Sequence, residues 1–229
     1  LDSNFLNDGE YTTRFEQMLA ELLGCKHAVA VTNGTSALFL ALVGSGIGPG
    51  DEVLCPSFTF FATAGSIARA GATPVFVDVQ EDAPLMDLDG LAQHEGLSAV
   101  LLVHLFGARC PAPSGLPVIS DAAQALGWGH GSPAGTLAAL SFYPSKILGA
   151  AGEGGMVLTD DTKAIETIRR LRYEGRTIGV PFQDDDLGDG GWNMYMTPEQ
   201  AARGLTLLMG YPEHSDDQVE DPPYRDLRT

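Results

Sequence analysis

The stretch HAVAVTNGTSALFLALVGSG, residues 27–46, decides the fold. It opens with a short apolar run, turns on Asn33-Gly34, and continues as a second apolar run that begins Gly34-Thr35-Ser36 and ends in glycine. Its length and boundaries predict a buried strand over 27–33, followed at once by a helix over 34–46. The same alternation continues along the chain. EVLCPS (52–57) is a strand, TFFATAGSIARAG (59–71) a helix and TPVFVDV (73–79) a strand. DLDGLAQHEG (87–96) is a short helix and SAVLLVHLFG (98–107) a strand, and LPVISDAAQALG (116–127) is a strand followed by a short helix. LAALSFYPSK (137–146) and GGMVLTDD (154–161) are strands, and TKAIETIRRLRYEG (162–175) is a helix. Before them, EYTTRFEQMLAELLG (10–24) spaces Phe15, Met18, Leu19, Leu22 and Leu23 as an amphipathic helix closed by Gly24. Strands alternating with helices make an α/β protein, with a mostly parallel mixed sheet flanked by helices on both faces. The acidic, glycine-rich QDDDLGDGG (183–191) reads as a loop, and Pro198 stands where a last helix begins.

The chain has 229 residues, 44% of them hydrophobic and 19% charged, enough to bury a sizeable core. Its formal net charge of −17 argues against nucleic acid and anionic membranes as partners, but a helix N-terminus can still hold a phosphate. Cys25, Cys55 and Cys110 are far apart and odd in number, so neither a disulfide framework nor a metal site is expected, and a reducing cytoplasm fits. No apolar run is long enough to span a bilayer. The chain starts at Leu1, and its N-terminal segment is expected to be incomplete. Residues 1–210 are expected to form one domain, with 211–229 an acidic, Pro-rich and loosely docked tail.

Polar residues collect where predicted strands end, the place where open α/β sheets bind ligands. After the strand AVAVT, Gly34, Thr35 and Ser36 open a helix whose free N–H groups and dipole suit an anion. They form either a phosphate cup or an ordinary hydroxyl cap. Asp121 follows an apolar strand and needs a cation or donor, with Gln124 three residues on. This carboxylate either holds a protonated ring nitrogen or caps a helix. Lys146 sits between an apolar run and the glycines of SFYPSKILGAAGEGG (141–155). A lysine short of water loses affinity for its proton and becomes a nucleophile, whereas a snorkelling lysine does not. In SFTFFATA (57–64) one phenylalanine is suited to lie on a planar ring while the others pack. A phosphate cup, a carboxylate, an aromatic face and an activated lysine together match pyridoxal 5'-phosphate.

These residues resemble the sugar-nucleotide aminotransferases of the DegT/StrS type, with the type I aminotransferase fold. The likeness runs from about residue 4 to 208. It covers FLNDGEYTTRFEQMLAELLG, AVTNGTSALFLAL, GDEVLCPSFTFFATA, ATPVFVDV, VHLFG, SDAAQALG, SFYPSKILGAAGEGG and GWNMYMTPEQAA, in the family's order and spacing. The resemblance implies that Lys146 forms the Schiff base and carries the proton, and that Asp121 pairs with the pyridinium nitrogen. It implies that Gln124 bonds the ring's hydroxyl region and that Phe60 stacks on the ring. Gly34, Thr35, Ser36 and Ser141 are expected at the phosphate, with Asn193 reaching the phosphate of a partner subunit. The expected enzyme is a homodimer with shared sites that moves an amino group from an amino acid, glutamate, onto a nucleotide-linked keto sugar, without a metal.

The chain also departs from the family pattern. Members carry a smaller C-terminal domain, in whose place the acidic tail is expected here. The pattern Asn-Tyr-Arg-Met reads Asn193-Met194-Tyr195-Met196, and Glu174 replaces a histidine. A shortened member that binds the cofactor or a partner without turnover is the alternative. Another α/β nucleotide binder finds little support, since no G-x-G-x-x-G follows a strand and no P-loop is present. His104 is read as structural.

Overall fold

The computed structural model describes residues 9–89, 91, 94–126, 137–150, 152–186, 188 and 190–210. The acidic tail, the first residues of FLNDGEYTTRFE and parts of the predicted segments 87–96 and 183–191 lie outside these. Seven strands form one sheet: β1 (His27–Val31), β2 (Glu52–Pro56), β3 (Thr73–Val77), β4 (Ala99–Val103), β5 (Val118–Asp121), β6 (Leu137–Ser141) and β7 (Gly155–Thr159). Their order is β1-β7-β6-β5-β4-β2-β3. Only β7 runs antiparallel to its neighbours, β1 and β6. The carboxyl ends of the other six strands therefore share one edge of the sheet with the amino end of β7.

Five helices cover the sheet: α1 (Glu10–Leu23), α2 (Gly34–Gly44), α3 (Ala62–Arg69), α4 (Thr162–Leu171) and α5 (Pro198–Met209). Strand side chains alternate between faces. Val29, Val31, Leu101, Ile119 and Val157 meet α2, α3 and α4. Ala28, Ala30, Leu140, Met156 and Leu158 face Phe15 and Leu19 of α1 and Leu205 of α5. Gly24 ends α1 in the left-handed conformation, φ 66°, as its position predicts. Thr197 and Gln200 form a reciprocal cap around Pro198 at the start of α5. No helix among the described residues is long and apolar enough to cross a membrane.

Two local expectations are corrected. The segment after Asp121 makes turns, such as Ala125 N–H to Ala122 O at 3.0 Å, rather than a short helix. The strand leading toward Lys146 stops at Ser141, because Pro144 cannot donate to a ladder and a tight turn follows.

Among the described residues no strand pairs with the outer edge of β1 along Ala28–Ala30, and side chains take its place. Glu16 on α1 accepts the Ala30 N–H at 2.8 Å, and Arg169 donates to Ala28 O at 3.0 Å. Arg172, 1% exposed, donates to Ala30 O and to Glu16 at 2.9 Å. Removing one partner of a buried pair leaves the other charge desolvated. Arg172→Met is expected to lower stability by about 3 kcal/mol, the low end for such a loss because Arg169 still reaches Glu16. Denaturant unfolding checks this. The double replacement Glu16→Gln/Arg172→Met should recover part of the loss.

Candidate active site

Residue 155 is where the site is assembled. In register, Gly155 of β7 lies between Val31 of β1 and Ser141 of β6. A Cβ at this position would stand 2.3 Å from Asn33 O and 2.8 Å from Gly34 N. The missing side chain lets the β1–α2 turn lie across the start of β7. Gly34 then meets Ser141, whose Cβ would be 2.7 Å from a Cβ at residue 34. Gly34, Thr35, Ser36 and Ser141, more than a hundred residues apart in sequence, therefore border one spot at the N-terminus of α2. Asn33 caps this helix by accepting the Ser36 N–H at 2.9 Å. The Ser36 hydroxyl, nearly buried, accepts from Thr32 at 3.0 Å and keeps its own proton for another acceptor. Thr35 is exposed.

Asp121 ends β5, one strand beyond β6, and is 7% exposed. Its Oδ2 accepts from Thr63 at 3.0 Å and its Oδ1 from the Ala123 N–H at 3.2 Å. Burial pushes its carboxyl above the usual aspartate range, while these two bonds and the Lys146 charge pull it back. Lys146 is half-buried on the turn after β6, fixed by its N–H to Tyr143 O at 2.8 Å. Gly149 lets that turn close, since a Cβ there would lie 2.7 Å from Pro144 O. Burial lowers the proton affinity of the Lys146 amine, and the negative charge of Asp121 opposes this.

Gln124 lies beside Asp121, and its Oε1 accepts the Phe106 N–H at 2.7 Å, holding a residue with φ 55°. Its amide NH2 is left as a donor. Phe60 stands on the loop between β2 and α3, 59% exposed, with its ring centroid 4.1 Å from that of Phe61. The segment 192–195 runs alongside β1, with single β-bridges pairing Val31 with Tyr195 and Tyr173 with Asn193. Asn193 is exposed beside the cup and donates to Tyr195 Oη at 3.2 Å.

His104 adjoins Asp121 through its backbone, its N–H donating to Asp121 O at 3.0 Å. Its buried ring accepts the Cys110 N–H at Nδ1, 3.1 Å, in keeping with a structural role. The three cysteines are buried thiols, and burial pushes Cys55 up to about 11. Among the described residues no group of three or more His, Cys, Asp or Glu is arranged to hold a metal. Sequence reasoning missed Thr63, Thr32 and Gly155. Thr63 lies in a segment read for its phenylalanines, and the Gly154-Gly155 pair was its own signal.

These residues fit pyridoxal phosphate on structural grounds. A buried carboxylate and a half-buried amine feel each other's charge, and hydroxyls and helix N–H groups gather at Gly34 and Ser141. The chain matches the DegT/DnrJ/EryC1/StrS aminotransferase family over residues 1–219. It is similar to the GDP-perosamine synthase of Caulobacter vibrioides, at 39% identity over 93% of this chain and 61% of that one. Among solved structures it is similar to S. venezuelae DesV in complex with a ketimine intermediate, at 38% identity and TM-score 0.80, covering 92% of this chain and 60% of that one. It is also similar to the PLP form of the sugar aminotransferase Spr1654 from Streptococcus pneumoniae, at 27% identity and TM-score 0.81, covering 92% and 62%. The chain spans 49% to 61% of the length of the curated relatives it matches first. It has the expected type I aminotransferase fold.

Proposed function

Because the chain belongs to the DegT/DnrJ/EryC1/StrS aminotransferase family, we propose that it contributes the cofactor site of a PLP-dependent aminotransferase. Its acceptor is a nucleotide-linked keto sugar and its donor an amino acid, glutamate. The observation that carries this is the placing of the buried Asp121 and the half-buried Lys146 at the ends of the neighbouring strands β5 and β6, each within reach of the other's charge, with Gly34, Thr35, Ser36 and Ser141 at the N-terminus of α2. The nucleotide sugar is supported by relatives named for GDP-linked and other activated sugars.

When bound, pyridoxal phosphate supplies an aldehyde that joins to amines and a ring that takes up the electron pair left behind when a proton leaves carbon. The chain supplies the rest. The α2 N–H groups and the Ser36 and Ser141 hydroxyls would hold the phosphate. Asp121 would accept from the ring nitrogen and stabilise its proton by charge. Gln124 would donate to the ring's hydroxyl, and Phe60 would lie against the ring. The Lys146 amine, lowered in proton affinity by burial, would hold the aldehyde carbon, and its Nζ would carry the proton as base and acid. Asn193, exposed beside the cup, serves the phosphate of a second subunit in a homodimer. The buried, reduced cysteines suit a cytoplasmic enzyme.

Titration of the full chain with pyridoxal phosphate tests this. A visible absorption band should appear, be trapped on Lys146 by borohydride, and disappear on adding glutamate. No band sinks the cofactor assignment. A band that glutamate never alters sinks amine transfer from that donor.

A further inference from the structure

Thr63 lies on α3, fully buried, and its hydroxyl donates to Asp121 Oδ2 at 3.0 Å. A carboxylate only accepts, so the single Thr63 proton is committed to this bond. The Thr59 and Thr63 hydroxyls also lie 3.0 Å apart. With the Thr63 proton on Asp121, the proton of the second bond must come from Thr59. The chain therefore runs one way, from Thr59 through Thr63 to Asp121. The other oxygen of Asp121 is held by the Ala123 N–H, so both oxygens are fixed in place. Thr59 stands between Phe58 and Phe60, on the loop that carries the exposed aromatic rings.

We infer that Thr59 and Thr63 are positioning residues: they lock the Asp121 carboxylate in one orientation as an acceptor and tether the Phe60 loop to it. This rests on the assignment of Asp121 to the ring nitrogen. Each donor aimed at a buried carboxylate favours its charged form, and here Thr63 works against the effect of burial. One hydroxyl chain thereby sets two things a flat, nitrogen-containing ring needs together, the carboxylate at its edge and the aromatic loop beside its face. Bonds in such a chain polarise one another, so the outer hydroxyl strengthens the inner bond.

The test has two arms on the full chain. Without cofactor, the unfolding equilibria of wild type, Thr63→Val, Asp121→Leu and the double variant form a cycle. Thr63→Val is expected to shift the equilibrium toward unfolding by about tenfold when Asp121 is present. The shift should fall to within about twofold beside leucine, which accepts no hydrogen bond. With pyridoxal phosphate bound, Thr63→Val should slow the glutamate-driven loss of the visible band by about tenfold. Thr63→Ser should restore it, and Thr59→Val should slow it about threefold. Equal costs of Thr63→Val in both Asp121 backgrounds overturn the inference, as does a wild-type rate in Thr63→Val or failure of rescue by serine. A wild-type chain that takes up no pyridoxal phosphate overturns the functional assignment instead, and with it the positioning role.

Discussion

Lys146→Ala is expected to lose amine transfer by on the order of 10⁴-fold, the upper end of what one positioned proton carrier contributes. In the proposed function two tasks converge on one atom: the Nζ would be both the nucleophile toward the aldehyde and the base that moves the proton, so alanine removes both. No neighbour replaces it: His104 is turned to the Cys110 amide, and no second lysine lies on the turn 142–150. Lys146→Arg should fare little better, because the guanidinium stays protonated and is no nucleophile. Single-turnover conversion with glutamate, followed by absorbance, measures the rate. Mass analysis after borohydride should show no trapped cofactor on the peptide containing residue 146. Retention of a rate within tenfold of wild type would remove Lys146 from the chemistry. The fold should survive, since the turn is held by backbone bonds, Lys146 N–H to Tyr143 O and Ala150 N–H to Phe142 O.

The second large effect falls on Asp121 and has opposite consequences for activity and stability. Asp121→Asn keeps the size but removes the charge that would stabilise the ring-nitrogen proton; its oxygen can still accept the Ala123 N–H, and its NH2 can donate to the Thr63 hydroxyl, which then accepts. Transfer should drop by roughly 10²- to 10⁴-fold, within the range that single electrostatic groups contribute. The cofactor-free chain should become more stable at neutral pH. Burial raises the folded carboxyl above its unfolded value, so the folded state binds the proton more tightly than the unfolded chain. Stability is therefore present below the unfolded value of about 4 and is lost as pH rises toward the folded value. The advantage of Asp121→Asn should accordingly be small near pH 4 and grow toward pH 7. Each kcal/mol gained should raise the melting midpoint by about 2–4 °C. Thermal unfolding of both chains across that range measures it, and a midpoint difference that does not change with pH would contradict the account.

The order of elements was readable because the signals are local. Apolar runs bounded by glycine marked each strand, and Gly24 and Pro198 marked helix ends in the way their backbone chemistry requires. Ser36 and Asp121 were readable as candidate site residues because strand ends are where α/β sheets place ligands, whereas Ser141 was implied by the family resemblance. Other features had weaker signals. Glu16 occupies a core-facing position of α1, between Thr12 and Ala20, which hinted at a buried charge without naming its partner 156 residues away, Arg172. No helix follows Asp121 even though its carboxylate accepts the Ala123 N–H as an N-cap would; the next described residues make only turns, such as Ala125 N–H to Ala122 O.

The sequence by itself determined the alternation of strands and helices, the residues at the strand ends, and the presence of an apolar setting for Lys146 and Asp121. Each of these depends on contacts among neighbours in the chain or on burial that composition already requires. Only the tertiary structure decided that β1 lies beside β7, that Gly155 lets the Gly34 turn reach Ser141, and that Thr63 holds Asp121. These depend on which strands pair and in which register, and backbone hydrogen bonds carry no mark of their partner in the local sequence.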